Sequence, residues 1–256
     1  MSLWARLTWQ AKDPSALAGE LARRLLVPAR PGGLVTGARL LRLGNAELEV
    51  RPWIREGPED GPRTAGRLML EPVPNGEEAP GPAPAGSPDP LVLLGLGWAT
   101  VELDRAEAEL DMWLGPPPPA VGEDAAAATG GAPPGDGRDV AVPPVDEHLG
   151  AHARLREAAG LPGSWTVLLE PSTEGRAAAS LARDGEGPCA LYLRPADGLD
   201  AWADAARERG VTVSGRRDGP FGAQVLLASA PAGPHVIVTE GRSPVSSPAP
   251  AGTIAP

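Results

Sequence analysis

The chain repeats itself. Gly66-Arg67-Leu68-Met69-Leu70-Glu71-Pro72 returns as Trp165-Thr166-Val167-Leu168-Leu169-Glu170-Pro171, each a strand closed by Leu-Glu-Pro. A strand followed by a helix is signalled three times as well, at Leu3–Leu26, Leu93–Leu110 and Cys189–Arg209. A small unit of this kind has an apolar face that it cannot bury alone. Repetition therefore predicts modules packed together, with function on the concave face they share.

The order within the units is readable from local signals. Ala5 to Gln10 alternates apolar and polar residues, as a strand with two unlike faces does. Asp13 and Pro14 suit the N-cap and first position of a helix over Ser15–Leu26. Ala38–Leu43, a Gly44-Asn45 turn and Glu47–Trp53 read as a hairpin, followed by a strand at Arg67–Leu70. The last unit repeats this β-α-β-β-β order: strand Cys189–Arg194, helix Leu199–Arg209 stopped by Gly210, then strands at Val211–Ser214, Gln224–Ala228 and His235–Glu240. In the middle, a strand at Leu93–Leu103 and a helix from Asp104 precede a long insertion. The unit resumes at Leu149–Leu155 and ends with Thr166–Leu169.

The expected organisation is an N-terminal module over 1–72, a disordered linker over 73–90, and paired modules over 91–240 interrupted by a disordered insertion at 115–145. A disordered tail over 241–256 completes it. The linker, insertion and tail hold much of the Gly and Pro and too little apolar surface to offset the entropy of ordering them. The fold class is α+β, with repeated βαβββ modules whose curved mixed sheets enclose a cavity.

Charge and composition narrow the function. A net charge of −10 argues against binding a nucleic-acid backbone, which needs a clustered basic face. One cysteine, Cys189, excludes an internal disulfide and a cysteine-based zinc site, and agrees with a reducing compartment. No signal peptide is visible, and the apolar run from Leu91 to Val101 is shorter than the roughly 20 residues of a membrane helix. A cytoplasmic protein without membrane partners is expected.

Four segments in order, Leu168-Leu169-Glu170-Pro171, Gly185-Glu186-Gly187, Leu191-Tyr192-Leu193 and Arg209-Gly210-Val211, carry a resemblance. The chain resembles the vicinal oxygen chelate superfamily, the group of glyoxalases, bleomycin-resistance proteins and extradiol dioxygenases. Its order is most similar to the methylmalonyl-CoA epimerase branch. The likeness covers roughly Val167 to Glu240 well, Leu3 to Pro72 less closely, and the middle poorly. It implies paired modules around a cavity and, in metal-using members, a His in the first strand seven residues before the Asp that opens the helix. Counting back from Asp13, Asp104 and Asp197 reaches Arg6, Gly97 and Ala190, and the closing-strand Glu falls at or beside Ile237. None of these is a ligand, and a guanidinium stays protonated. No metal and no other cofactor is therefore expected.

Strand parity predicts what faces the cavity instead: Arg6, Thr8 and Gln10 from the first strand, Tyr192 and Arg194 from the last module's first strand, and His235 and Thr239 from its closing strand. Arg6, Thr8, Gln10, Tyr192, Arg194 and His235 are thus the candidate ligand-binding residues, and two arginines suit a small organic anion. His235 and Glu170 are the candidates for proton transfer if any chemistry occurs. Each also has a plainer reading, as a packed strand His and as a strand-end residue before a proline, and Glu71 shares the latter. His148 and His152 stand four apart, a metal-ligand spacing that a packed pair also satisfies. Gly185-Glu186-Gly187 lacks the Lys-Ser/Thr of a phosphate loop and reads as a turn between modules. Cys189 falls on the helix-packing side, and most of the seven tryptophans lie within elements as core anchors.

The leading expectation is a metal-free binder of a small anionic molecule. A metal-dependent isomerase or lyase of the glyoxalase and epimerase type is the first alternative, with a divalent metal held by Glu170, His235, His148 or His152. The second is a non-catalytic scaffold whose modules form a homodimer.

Overall fold

The computed structural model describes residues 5–31, 36–43, 46–52, 67–72, 91–114, 144–157, 165–172, 174–227 and 234–242. The stretches 73–90 and 243–256, and the insertion as far as residue 143, lie outside the described residues.

The N-terminal unit begins with β1 (Ala5–Ala11) and α1 (Pro14–Leu25). Asp13 caps α1, its side chain accepting from the Ala16 N–H at 2.9 Å with Pro14 in the first turn. The strands β2 (Ala29–Pro31), β3 (Arg39–Leu43), β4 (Ala46–Pro52) and β5 (Arg67–Pro72) follow. They form a five-stranded sheet in the order β2-β3-β4-β1-β5, with β1 parallel to β4 and antiparallel to β5. The expected β-α-β-β-β order is met differently from the sequence reading. The short β2 between Pro28 and Pro31 supplies the first of the three later strands, and Arg67–Pro72 is an additional fifth strand. Prolines at both ends hide a three-residue strand from any pattern count.

The remaining elements form one eight-stranded sheet, β11-β12-β13-β10-β6-β9-β8-β7. Its middle unit comprises β6 (Leu91–Ala99), α2 (Leu103–Leu114), β7 (Val145–Asp146), β8 (Ala151–Glu157) and β9 (Trp165–Pro171). Then comes α3 (Arg176–Asp184) and the last unit: β10 (Gly187–Pro195), α4 (Leu199–Glu208), β11 (Arg217–Gly219), β12 (Gly222–Leu226) and β13 (His235–Thr239). Each unit runs its first strand parallel to its last, β6 with β9 and β10 with β13. The two units join antiparallel through β6 and β10. Two expectations are corrected. Val211–Ser214 contributes only an isolated bridge, Val213 to Leu227, and the strand lies later, at β11. Helix α3 has no counterpart in the sequence reading.

The repeated Leu-Glu-Pro strands prove not to be equivalent. β9 closes its module in parallel with β6, whereas β5 lies antiparallel to β1, the relation that β10 has to β6. In the N-terminal sheet β5 thus occupies the place that a partner module's first strand occupies in the larger sheet.

Leu7, Trp9, Leu21, Leu25, Leu48 and Val50 of the N-terminal unit belong to the same core as Leu91, Leu93, Leu191, Leu193 and Trp202 of the later units. β5 lies against β10, and β3 against β6. α2 packs on β9 through Leu103, Ala106, Leu110 and Leu168. Among the described residues no helix is long and apolar enough to cross a membrane.

Candidate functional site

The register of the eight-stranded sheet defines two rows across its centre. One runs Leu226–Ile237–Tyr192–Gly95–Trp165 and the next His235–Ala190–Gly97–Val167. Both lie on the concave face: Ala190, Tyr192, Val167, Leu226 and Ile237 share one apolar cluster, while their neighbours Leu191, Leu193, Val236 and Val238 belong to the cluster around α4. Alternation along a strand has this consequence.

This concave face is filled. Phe221, from the turn between β11 and β12, packs edge-on to Tyr192 with ring centroids 5.5 Å apart. The Thr239 hydroxyl holds that turn by donating to the Phe221 carbonyl at 3.1 Å. From the other side, α3 lies over the sheet and contributes Ala177, and Leu149 closes the space beside it. The start of α3 approaches so closely that a Cβ on Gly175 would lie 2.8 Å from the Leu149 carbonyl oxygen.

Several polar groups within this core are paired, and the buried side-chain amide of Gln224 finds no hydrogen-bond partner among the described residues. Tyr192 is fully buried and donates to Asp146 Oδ2 at 2.7 Å, while Asp146 Oδ1 accepts from the Leu149 N–H at 2.9 Å. Burial first, and then the Asp146 charge, holds the Tyr192 phenol well above its usual range. His235 lies 3.2 Å from the Ser180 hydroxyl of α3. Burial pushes its imidazole down to about 4, and Arg176 and Arg183 add to the effect. His148 Nε2 lies 3.2 Å from the Gln224 carbonyl, which requires the proton on that nitrogen, and burial lowers its pKa also. Cys189 is buried and its thiol is pushed up to about 12, so it is not a thiolate nucleophile at neutral pH.

The positions where the resemblance would place metal ligands can be tested on this geometry. Gly97 and Ala190 are direct partners across the central seam, and Ile237 pairs with Tyr192. None carries a donor, and there is no room for one at Gly97, where a Cβ would lie 2.7 Å from the Ala190 Cβ and 3.0 Å from Leu169. These residues do not fit a divalent metal. Among the described residues no three His, Cys, Asp or Glu side chains gather as a metal-binding group. His152 and Glu170 are cross-strand partners, on the same side of β9 as Leu168 and α2, and so on the face opposite His235.

The N-terminal sheet has a different character. Leu7 and Trp9 pack in the core with α1, and the intervening Thr8 and Gln10 are buried on the other face. Thr8 pairs with Glu49 and Gln10 with Arg51 of β4. Glu49 is buried and Arg51 half-buried, so four polar side chains share this face. The backbone of Arg6 lies in β1, and its side chain falls outside the described residues. Glu49 and Arg51 were missed in the sequence, although Glu47-Leu48-Glu49-Val50-Arg51 carries the same alternation as β1. Arg194 is exposed at the end of β10, packed over Gly241.

Glu186, in the turn between α3 and β10, was also missed as anything but a turn residue. Its carboxylate accepts from the Val101 N–H at 2.7 Å, from Thr100 Oγ1 at 2.8 Å, and from Arg105 at 2.6 Å. Arg105 chiefly, with the other donors, lowers its pKa to about 2. Glu186 therefore fixes the start of α2 to the turn before β10.

One known structure shares this architecture. A variant of 4-hydroxymandelate synthase from Streptomyces coelicolor aligns over 94% of this chain and 94% of its own, with a TM-score of 0.59 and 14% identity. The chain has the vicinal oxygen chelate fold. Methylmalonyl-CoA epimerase from Mycobacterium tuberculosis aligns over 61% of this chain and 91% of its own, at 20% identity and a TM-score of 0.44. A Streptomyces coelicolor epimerase in complex with 2-nitronate-propionyl-CoA covers 57% and 96%, at 21% and 0.39. No protein-family model matches the chain, and no curated protein matches it by sequence. The fold assignment rests on the synthase and on the paired βαβββ topology of the eight-stranded sheet.

Proposed function

We propose that this chain is a metal-independent binding protein on the vicinal oxygen chelate fold, taking a small anionic organic molecule on the polar face of its N-terminal sheet. The observation that carries the reading is the contrast between the two sheets. The eight-stranded sheet has small or apolar residues, Gly97, Ala190, Val167 and Ile237, at the centre of a packed concave face. The N-terminal sheet keeps Thr8, Gln10, Glu49 and Arg51 together on one face. Small-ligand sites place a few convergent polar side chains together in this way. Arg6 follows Thr8 and Gln10 by strand parity, so the two arginines suited to an anion are Arg6 and Arg51. Tyr192 and His235 belong to the packed core, and a ligand would reach them only by displacing Phe221 or α3. The formal charge of −10 favours no nucleic-acid partner, and the single buried Cys189 favours a reducing, cytoplasmic setting.

A second reading is a non-catalytic scaffold, and the filled concave face is what favours it. One experiment separates these readings and the metal-dependent isomerase or lyase. Metal content would be measured on protein purified without chelator, followed by thermal shift with Mn²⁺, Co²⁺, Ni²⁺, Zn²⁺ and then a panel of small carboxylates. No metal response with a carboxylate-dependent rise, abolished in Thr8→Val and Arg51→Gln, is the expected result. Near-stoichiometric metal would overturn metal independence. Silence to every carboxylate would leave the scaffold.

A further inference from the structure

A groove of about 400 Å³ lies outside both concave faces, between α4 and the end of α1. One wall is α4: Asp197 precedes the helix, Ala201 and Ala205 line its solvent side, the largely buried Trp202 borders the floor, and Arg209 stands at its end. Positions 201, 205 and 209 are successive helical turns, so they form a single stripe. Pro195 closes the near end, and Leu26 and Pro28 make the opposite wall. From position 201 to position 209 the stripe is about 12 Å long.

Two features mark this groove as a site. Arg209, exposed, and Asp197 have no ion-pair partner among the described residues, and they stand at opposite ends of an apolar floor. Leu26, in the facing wall, has a φ of 61°, the only non-glycine positive φ among the described residues. Glycine is the ordinary residue at such a helix C-cap, and a leucine there carries backbone strain. Strain of this kind persists where surrounding contacts impose it and clusters at ligand clamps. The Leu26 side chain is half-buried against the core, so the strain holds an apolar side chain at the mouth of the groove.

We propose that the groove binds a medium-chain aliphatic carboxylate, its alkyl chain lying along Ala201, Trp202 and Ala205 against Leu26 and Pro28, its carboxylate on Arg209. Asp197 repels a carboxylate at the other end and so fixes the direction of entry. The length of the stripe suits an extended chain of about ten carbons, and the volume lies within the usual range for small-ligand pockets. The site is separate from the polar face of the N-terminal sheet and does not depend on that reading.

The test is calorimetric titration of the full-length protein with decanoate below its aggregation threshold, at low salt and with chelator present. The expected dissociation constant is on the order of 10–100 μM. Methyl decanoate should bind at least about tenfold more weakly, since it lacks the charge that Arg209 pairs with. Arg209→Gln should weaken decanoate about tenfold. Ala205→Trp should abolish binding by filling the groove, with the melting temperature and circular dichroism showing that the variant folds. Leu26→Gly, which removes the wall while relieving the backbone, should weaken binding without loss of stability. No binding to the wild type would overturn the proposal. So would equal binding to wild type, Ala205→Trp and Arg209→Gln. If instead Thr8→Val and Arg51→Gln abolish decanoate binding while the groove variants retain it, the N-terminal sheet reading stands and the groove proposal falls.

Discussion

At the scale of single residues, the two most perturbed acid–base groups with usable pH windows do structural work. His235 is neutral in the fold, with its pKa pushed down to about 4 from an ordinary 6.5. The unfolded chain therefore binds more protons between those values. Stability is fully present above pH 6.5 and is lost as pH falls from 6.5 toward 4, by about 3 kcal/mol in all. His235→Gln should flatten that slope, which urea midpoints at pH 7.5, 5.5 and 4.5 would measure. An unchanged slope would mean that the imidazole is solvated in the folded protein. Glu186 acts in a lower window. With a folded pKa near 2 against 4.5, its contribution is present above pH 4.5 and fades as pH falls through 4.5 toward 2. The carboxylate is partly exposed, so solvent screening reduces its worth, and Glu186→Gln should cost about 1 kcal/mol at pH 7.

At the scale of elements, the seam between β6 and β10 decides what the concave face can be. Gly97 sits where a Cβ would collide with Ala190 and press on Leu169 and Tyr192. Gly97→Ala should destabilise by about 1–3 kcal/mol through overpacking, and adding Ala190→Gly should restore much of that. Denaturant unfolding of the two variants checks it; a neutral Gly97→Ala would show an open cup instead. The elements themselves were unequally legible. β1, α1, β6, β10 and α4 carry alternation, an N-cap or a glycine stop, all signals set by neighbours in sequence. β2 has only three residues between prolines, and α3 follows a glycine rather than a side-chain cap. β5 looked like β9 because both end in Leu-Glu-Pro, yet strand chemistry does not encode which edge a strand joins. That is a matter of which edge remains open once the other strands have paired.

At the scale of the whole molecule, the two sheets share one core, so they should unfold together. Leu93, fully buried, lies in the cluster that also contains Leu7, Trp9 and Leu25. Leu93→Ala should cost about 2–5 kcal/mol. It should shift the far-ultraviolet dichroism and tryptophan fluorescence transitions by the same amount; two separated transitions would instead show modules with independent cores. By itself the sequence determined the α+β class and the three strand–helix starts. These follow from periodicity and capping, which act over a few residues. It also determined that Gly97 and Ala190 stand where donors would be expected. Only the tertiary structure decided that the concave face of the larger sheet is filled and that the polar row of the smaller one includes Glu49 and Arg51. It decided too that a groove opens between α1 and α4. Phe221, α3 and β5 come to these places through contacts between residues far apart in the chain. Close packing decides which space is left, and no local pattern records it.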